Sequence, residues 1–275
     1  MRKRFGSALR IGLSKTDVTV VHTRGWLRTR SEIIGEWSDQ EEEHASPEVV
    51  ATKLGALLKE VDCSRLPARI VLSDACVRRW MVTPPQNATR LADCRAAANA
   101  RFQVLFGEPM SDWQFAADWD ARQPFLACAA PRLLLTALQQ VARDHGLILL
   151  EVAPQFVVAW NRWRADLQVG AWFGVLQRKV LTFAVLGRNG PEATREVVLP
   201  DEVMLDQQHV PEILAREALR LNVPMPSEIR LCGQIPAHWV MQKIGNMTFV
   251  RLDRLRIANM ALSPGMSLAL TGMPS

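Results

Sequence analysis

The chain has 275 residues, 48% of them hydrophobic and 22% charged, with a formal net charge of +5. That length and balance build a large domain or two linked lobes and exclude an extensively disordered chain. The basic residues are spread along the chain and form no block of five or more, so a nucleic-acid adaptor, which would bind with steep salt dependence, is not expected.

The first 37 residues read as a three-stranded meander. Its strands are Leu9–Leu13, Val18–Thr23 and Trp26–Trp37, with Arg24-Gly25 as a turn. An acidic loop, Ser38 to His44, follows. Ser46 then caps a helix whose first position is Pro47 and whose apolar stripe is Val50, Leu54, Leu57, Leu58 and Val61. The next strands are Ala68–Ser73 and Arg79–Thr83, ended by Pro84-Pro85. The order β-β-β-α-β predicts a ribbon followed by a helical crossover to a parallel neighbour.

Asn87 is the expected cap of an alanine-rich helix reaching Leu105. Met110–Ala116 and Gln123–Ala129 read as paired strands around Asp118-Trp119-Asp120. Pro131 opens a helix that Gly146 closes. Leu147–Val152 reads as a buried strand, and Pro154 opens a helix bearing Phe156, Trp160 and Trp163. From Val169 the pattern repeats. Ala171–Leu176 and Val180–Leu186 pair around Gln177-Arg178-Lys179, and Glu196–Leu199 is a third strand. Then come a helix over Pro211–Leu221, a strand over Glu228–Leu231 and a short helix near Pro236–Ile244. The expected division is 1–166, with an inserted subdomain at about 86–130, and 167–275.

The longest apolar candidate for a membrane span, Leu133 to Trp160, is broken by Arg143, Asp144, His145, Glu151 and Pro154, so no direct span is expected. Basic Arg2-Lys3-Arg4 lacks the apolar run of a signal peptide. The cysteines at 63, 76, 94, 128 and 232 are scattered and odd in number, which speaks against a zinc site or a disulfide framework and fits a reducing cytoplasm. No GxSxG, HExxH, GxxxxGK[ST] or GxGxxG occurs.

Ala127-Cys128-Ala129-Ala130-Pro131, the helix after it, Gly146-Leu147, the apolar strand and Pro154 to Ala159 resemble the first lobe of PilM-like proteins. Asp112-Trp113 fits the same pattern. The closing Gly265-Met266-Ser267-Leu268-Ala269-Leu270-Thr271-Gly272 is similar to that family's last segment. The resemblance implies an α/β, actin-like (ribonuclease H-like), two-lobed fold with mixed sheets and a reduced second lobe. It implies a cytoplasmic adaptor of a type IV pilus or type II secretion platform, held at the inner membrane through a partner; the cytoplasmic domain of GspL, which carries its own transmembrane helix, is a relative of that family. The implied partner is the short N-terminal segment of a PilN-like bitopic membrane protein. A second implied contact is the platform's hexameric ATPase.

An actin-like ATP site needs acids around Mg²⁺ and glycine turns around phosphate. Gly12, Ser14, Lys15, Gly174 and Gly233 occupy the matching positions. Where the family pattern has an acid two residues before the first glycine, this chain has Arg10. Trp172 stands at the equivalent place before Gly174, and Leu231-Cys232-Gly233-Gln234 has one glycine instead of two. No cofactor and no ATP hydrolysis are therefore expected. The alternatives are an Arg10 that contacts phosphate, and an active ATPase or small-molecule kinase of the same fold. For the partner peptide, the expected groove lies between the meander and the inserted block, with Trp80, Val82, Trp113 and Phe115 as contacts. Indoles have much apolar area to bury, so a core role for the nine tryptophans competes with that assignment.

Overall fold

A computed structural model describes residues 6–25, 30–39, 46–86, 88–239, 243–253 and 262–273. The meander forms as β1 (Ser7–Leu13), β2 (Asp17–Arg24) and β3 (Arg30–Ser38). The part of the expected third strand at 26–29, the expected loop at 40–44 and the Asn87 cap lie outside the described residues. Helix α1 (Pro47–Lys59) starts as its sequence dictates, with the Ser46 hydroxyl accepting from the Val49 N–H. The chain crosses over to β4 (Pro67–Leu72), which pairs parallel with β1.

β5 (Arg78–Val82), α2 (Leu91–Phe106), β6 (Trp113–Ala117) and β7 (Phe125–Pro131) make a small subdomain around a three-stranded sheet ordered β5-β7-β6. It begins earlier than the expected 86, because β5 pairs with β7 rather than with the first sheet. Helix α2 is held at its start by Asp93, whose carboxylate accepts from the N–H groups of Thr89 and Arg90. It ends at Gly107, in the left-handed region with φ of 65°. Met110–Asp112 is a tight helical turn, so the expected strand from Met110 begins only at Trp113.

The chain rejoins the first lobe through α3 (Arg132–Asp144), β8 (Ile148–Pro154) and α4 (Gln155–Trp163). The first sheet is ordered β3-β2-β1-β4-β8. Leu9, Ile11 and Leu13 on β1 and Ile70 and Leu72 on β4 are buried with Leu54 and Leu58 of α1 and Leu134 and Leu138 of α3.

The second lobe repeats this plan with β9 (Trp172–Gln177), β10 (Val180–Gly187), β11 (Gly190–Val198), α5 (Asp201–Leu205), α6 (Val210–Leu221), β12 (Glu228–Gly233), β13 (Lys243–Ile244) and β14 (Met247–Arg251). Its sheet is ordered β11-β10-β9-β12-β14-β13. The expected short third strand, Glu196–Leu199, is the end of the longer β11. The expected helix at 236–244 is not formed. Residues 237–238 are a turn, 240–242 lie outside the described residues, and Lys243–Ile244 pairs with β14 across Gly245-Asn246. That dipeptide is a two-residue hairpin loop, and Gly245 supplies the positive φ of 58° such loops need.

The last element, α7 (Pro264–Leu270), leaves the second lobe and packs on β1 and β2. The expected 167–275 unit therefore loses its closing helix to the first lobe. Among the described residues no helix is long and apolar enough to cross a membrane.

Candidate functional site

Two places were expected to carry function: the seam between the lobes and the groove beside the small subdomain.

At the seam, the five expected nucleotide positions separate into packing glycines and turn residues. Gly12 lies inside β1, not in a turn. A Cβ there would sit 2.6 Å from the Ala269 nitrogen and 2.8 Å from Leu268 Cβ, as well as against the Gly265 carbonyl, so the glycine admits α7 to the sheet. Gly174 lies inside β9, where a Cβ would stand 2.7 Å from Leu231 Cδ2 and 3.0 Å from Leu181 Cδ1. Gly233 has φ of 96° and donates its N–H to Asp253 Oδ2 at 2.7 Å. Ser14 is buried at the β1–β2 turn, and Lys15 is exposed at its tip.

The structure brings the Ser14 turn, the Arg178 turn and Gly233-Gln234 together. The residue that joins them is one the sequence reading passed over. Asp17, the first residue of β2, is 2% exposed and accepts two hydrogen bonds from Arg178 Nη2, at 2.7 and 2.8 Å. The hydroxyls of Ser14, Thr16 and Ser38 also donate to this carboxylate, at 2.8–2.9 Å. The Arg178 N–H donates to Gln234 Oε1 at 2.8 Å. Thus the two hairpin turns clasp each other through a guanidinium. Beside them, Gln177 Nε2 donates to the Pro264 carbonyl at 2.9 Å, and Gln155 reaches both Gln177 and Thr271.

Arg10 serves α7. Its Nε donates to the Ala269 carbonyl at 2.6 Å and its Nη2 to the Thr271 carbonyl. These are carbonyls at and just beyond a helix C-terminus, which a cation satisfies. Burial, with Arg69 nearby, lowers the Arg10 pKa to about 10.

These residues do not fit a magnesium–triphosphate group as they stand. The carboxylate at the turn is committed to Arg178, and the cavity bordered by Gln155, Gly233, Asp253 and Thr271 is about 10 Å³, the room of one water at most. Among the described residues no three His, Cys, Asp or Glu side chains gather as a metal site.

The clasp carries a pH signature. Burial pushes the Asp17 carboxyl up, but the hydrogen bonds from Arg178, Ser14, Ser38 and Thr16 outweigh it and hold the carboxyl below its ordinary value. A depressed folded-state pKa adds stability that is full above the unfolded value, about 3.9, and is lost as pH falls through the folded one. Arg178→Ala should cost about 1–3 kcal/mol at pH 7, an effect softened by the partial exposure of Arg178. The gap to the parent protein should close as pH falls towards 3. Urea midpoints measured across that range check this, and parallel curves would contradict it.

In the small subdomain, two of the four expected peptide contacts, Trp80 and Val82, are core, while Trp113 and Phe115 are half-buried against it and Phe115 also borders a groove. Trp80 is 2% and Val82 1% exposed. Trp80 packs edge-on against Phe102 with centroids 5.2 Å apart, and Phe102 also meets Trp113 at 5.7 Å. Phe115 is half-buried between Trp80 and Trp119. Apolar area of these residues packs into the subdomain's cluster, and Trp80 and Val82 lie fully inside it. Trp239 is 4% exposed in the second-lobe core.

A groove of about 330 Å³ does lie next to this sheet. One wall is β6 with Gln114, Phe115 and Ala116. The other is β8 with Leu149, Leu150 and Val152, and Leu135 of α3 closes one side. Among the described residues both strands end their sheets, β6 pairing only with β7 and β8 only with β4. Leu150 is 56% exposed there. Glu151, held by Arg69 at 2.8 Å, is the charged member of the lining.

No protein-family model matches the chain, and no curated protein matches it. Solved structures do. The chain is similar to a structure of the PilM-PilN type IV pilus biogenesis complex, with 14% identity over 98% of this chain and 100% of that one and a TM-score of 0.63. It is similar to the cytoplasmic domain of EpsL, an inner-membrane component of the type II secretion system of Vibrio cholerae, with 11% identity, 84% and 83% coverage and a TM-score of 0.55. It is also similar to a Bacteroides thetaiotaomicron protein with actin-like ATPase fold, with 11% identity, 90% and 91% coverage and a TM-score of 0.58. Likeness at these identities assigns the fold, and the repeated β-β-β-α-β plan of the two lobes agrees with it: the chain is a two-lobed α/β protein of the actin-like ATPase fold.

Proposed function

We propose that this protein is a non-hydrolysing adaptor of a pilus or secretion platform, which holds the short N-terminal segment of a bitopic inner-membrane protein in the groove between β6 and β8. The observation that carries the reading is that two strand edges with no partner strand among the described residues border one largely apolar groove. An extended peptide gains backbone hydrogen bonds from such an edge and specificity from the side chains around it. The fold shared with a PilM-PilN complex and with an inner-membrane secretion component supports the choice of partner. The Asp17–Arg178 clasp supports the absence of hydrolysis, since the turn carboxylate is already neutralised. Location at the inner membrane follows from the partner rather than from any span of this chain.

Leu150 is the test residue, because it lines the groove and is exposed enough to change without disturbing the core. Leu150→Lys should weaken binding of the partner's N-terminal peptide at least tenfold by calorimetry, with the thermal midpoint of the free protein unchanged. Unaltered affinity would reject the groove. A parallel titration with Mg-ATP should show no heat and no phosphate release. Turnover would restore the ATPase or kinase alternative.

A further inference from the structure

A cavity of about 660 Å³ shares no residue with the groove. It lies where three loops converge: residues 118–126 of the small subdomain, 164–169 after α4, and the β10–β11 turn at 187–190. It is at the opposite end of β9 and β10 from Arg178, and so is separate from the interlobe seam. Each loop is tied down. The Asp118 N–H donates to the Leu126 carbonyl at 3.3 Å and the Gly170 N–H to the Leu186 carbonyl at 2.9 Å.

The walls carry opposite charge. Asp118 and Asp120 stand on the subdomain side, and Arg164 and Arg188 on the other. None of the four forms a salt bridge among the described residues; Asp120 is half-buried, and Asp118, Arg164 and Arg188 are exposed at the mouth of the cleft. Trp119, between the two aspartates, has φ of 50°, a region a bulky side chain adopts only when its surroundings hold it there. Its indole is anchored against Phe115 and Phe125 with Arg95 above it, so the strain is fixed by the subdomain core while both carboxylates line the cleft. The floor is apolar, with Trp160 and Leu126. Burial pushes the Asp118 carboxyl up, and Arg164 opposes the shift.

We infer that this cleft docks a short peptide segment of a protein partner, one that carries a basic and an acidic side chain flanking an apolar one. The basic group meets Asp118 and Asp120, the acidic group meets Arg164 and Arg188, and the apolar side chain lies on Trp160. Fixed loops on a rigid scaffold, with charges set on facing walls, give such a site orientation and salt-dependent specificity. A polar, open cleft of this size suits a peptide better than an enclosed small molecule. The inference is independent of the groove and of its proposed occupant.

The test uses the whole protein and two probes, acetyl-Lys-Leu-Glu-amide and acetyl-Glu-Leu-Lys-amide, followed by NMR at the Trp160 indole. One of the two should shift that signal and saturate, more weakly as salt is raised. Asp118→Lys with Asp120→Lys should weaken it at least tenfold and gain preference for acetyl-Glu-Leu-Glu-amide. Arg164→Glu with Arg188→Glu should instead prefer acetyl-Lys-Leu-Lys-amide. Both variants alter charges at the rim of an open cleft and leave the apolar core intact. No shift at millimolar peptide, or affinity blind to the charge order in both variants, would overturn the inference.

Discussion

Arg79→Met should destabilise the protein by about 3–5 kcal/mol, the range for removing one member of a buried ion pair and leaving the other uncompensated. Arg79 is on β5 of the small subdomain, and its side chain is 4% exposed. Its Nη1 meets Asp74 Oδ1 at 2.6 Å, in the turn after β4 of the first lobe. Its Nη2 pairs with Glu196 and reaches Thr182 Oγ1 at 3.4 Å, both in the second lobe. The guanidinium lies over the Phe156 ring at 5.4 Å, and the Phe156 N–H donates to Asp74 at 3.1 Å. One side chain therefore joins all three bodies. Methionine preserves most of the volume, so the loss comes from Asp74, which is left buried with a backbone N–H and no cation. Asp74→Asn added to Arg79→Met should recover part of it, which a double-mutant cycle in urea reads directly. A single-variant loss below 1 kcal/mol would refute the three-way joint.

Gly12→Ala should be comparably damaging, although it adds one methyl group. The obstacles are backbone: the Gly265 carbonyl and the Ala269 nitrogen of α7. Overpacking a core costs about 1–3 kcal/mol where side chains can shift, and more where they cannot. Here the relief open to the chain is to lift α7 off β1. That would also take the Ala269 and Thr271 carbonyls away from Arg10 and strain the Gly265 seat, where a Cβ would be 3.0 Å from Thr19 Cβ. Amides of 264–270 should lose hydrogen-exchange protection well before those of β9 and β10. A uniform loss across both lobes, or none, would contradict this account.

Much of the fold was legible because the signals were local. Ser46-Pro47 starts α1, Gly146 follows α3 with φ of 65°, and apolar periodicity located both three-stranded ribbons and their crossovers. The errors have local reasons too. The expected helix near Pro236–Ile244 gives way to a hairpin because Gly245-Asn246 turns the chain back, and that dipeptide was the readable signal. Of the expected peptide contacts, Trp80 and Val82 are buried because a subdomain this small spends much of its apolar area on its own core, whereas Phe115 borders the groove. The groove was expected between the meander and the inserted block, whereas the one found is bounded by β8, at the opposite edge of the first sheet from β3, where Leu149 and Leu150 read only as a buried strand.

The sequence by itself determined the element order, the helix boundaries set by caps, the two-lobed repetition and the departure of Arg10 from an acidic metal ligand. Each of these depends on residues a few positions apart, where backbone hydrogen bonding and side-chain period act. Tertiary structure decided what those residues do. Arg10 caps a helix 259 positions away, Arg178 closes on Asp17 across 161 positions, and Arg79 reaches Glu196 across 117. No local pattern encodes such pairs, because they exist only once two sheets and a returning helix have fixed the distances between them. Gly12 shows the difference: in sequence it marks a place of close approach, and only the folded chain shows that α7 is what approaches.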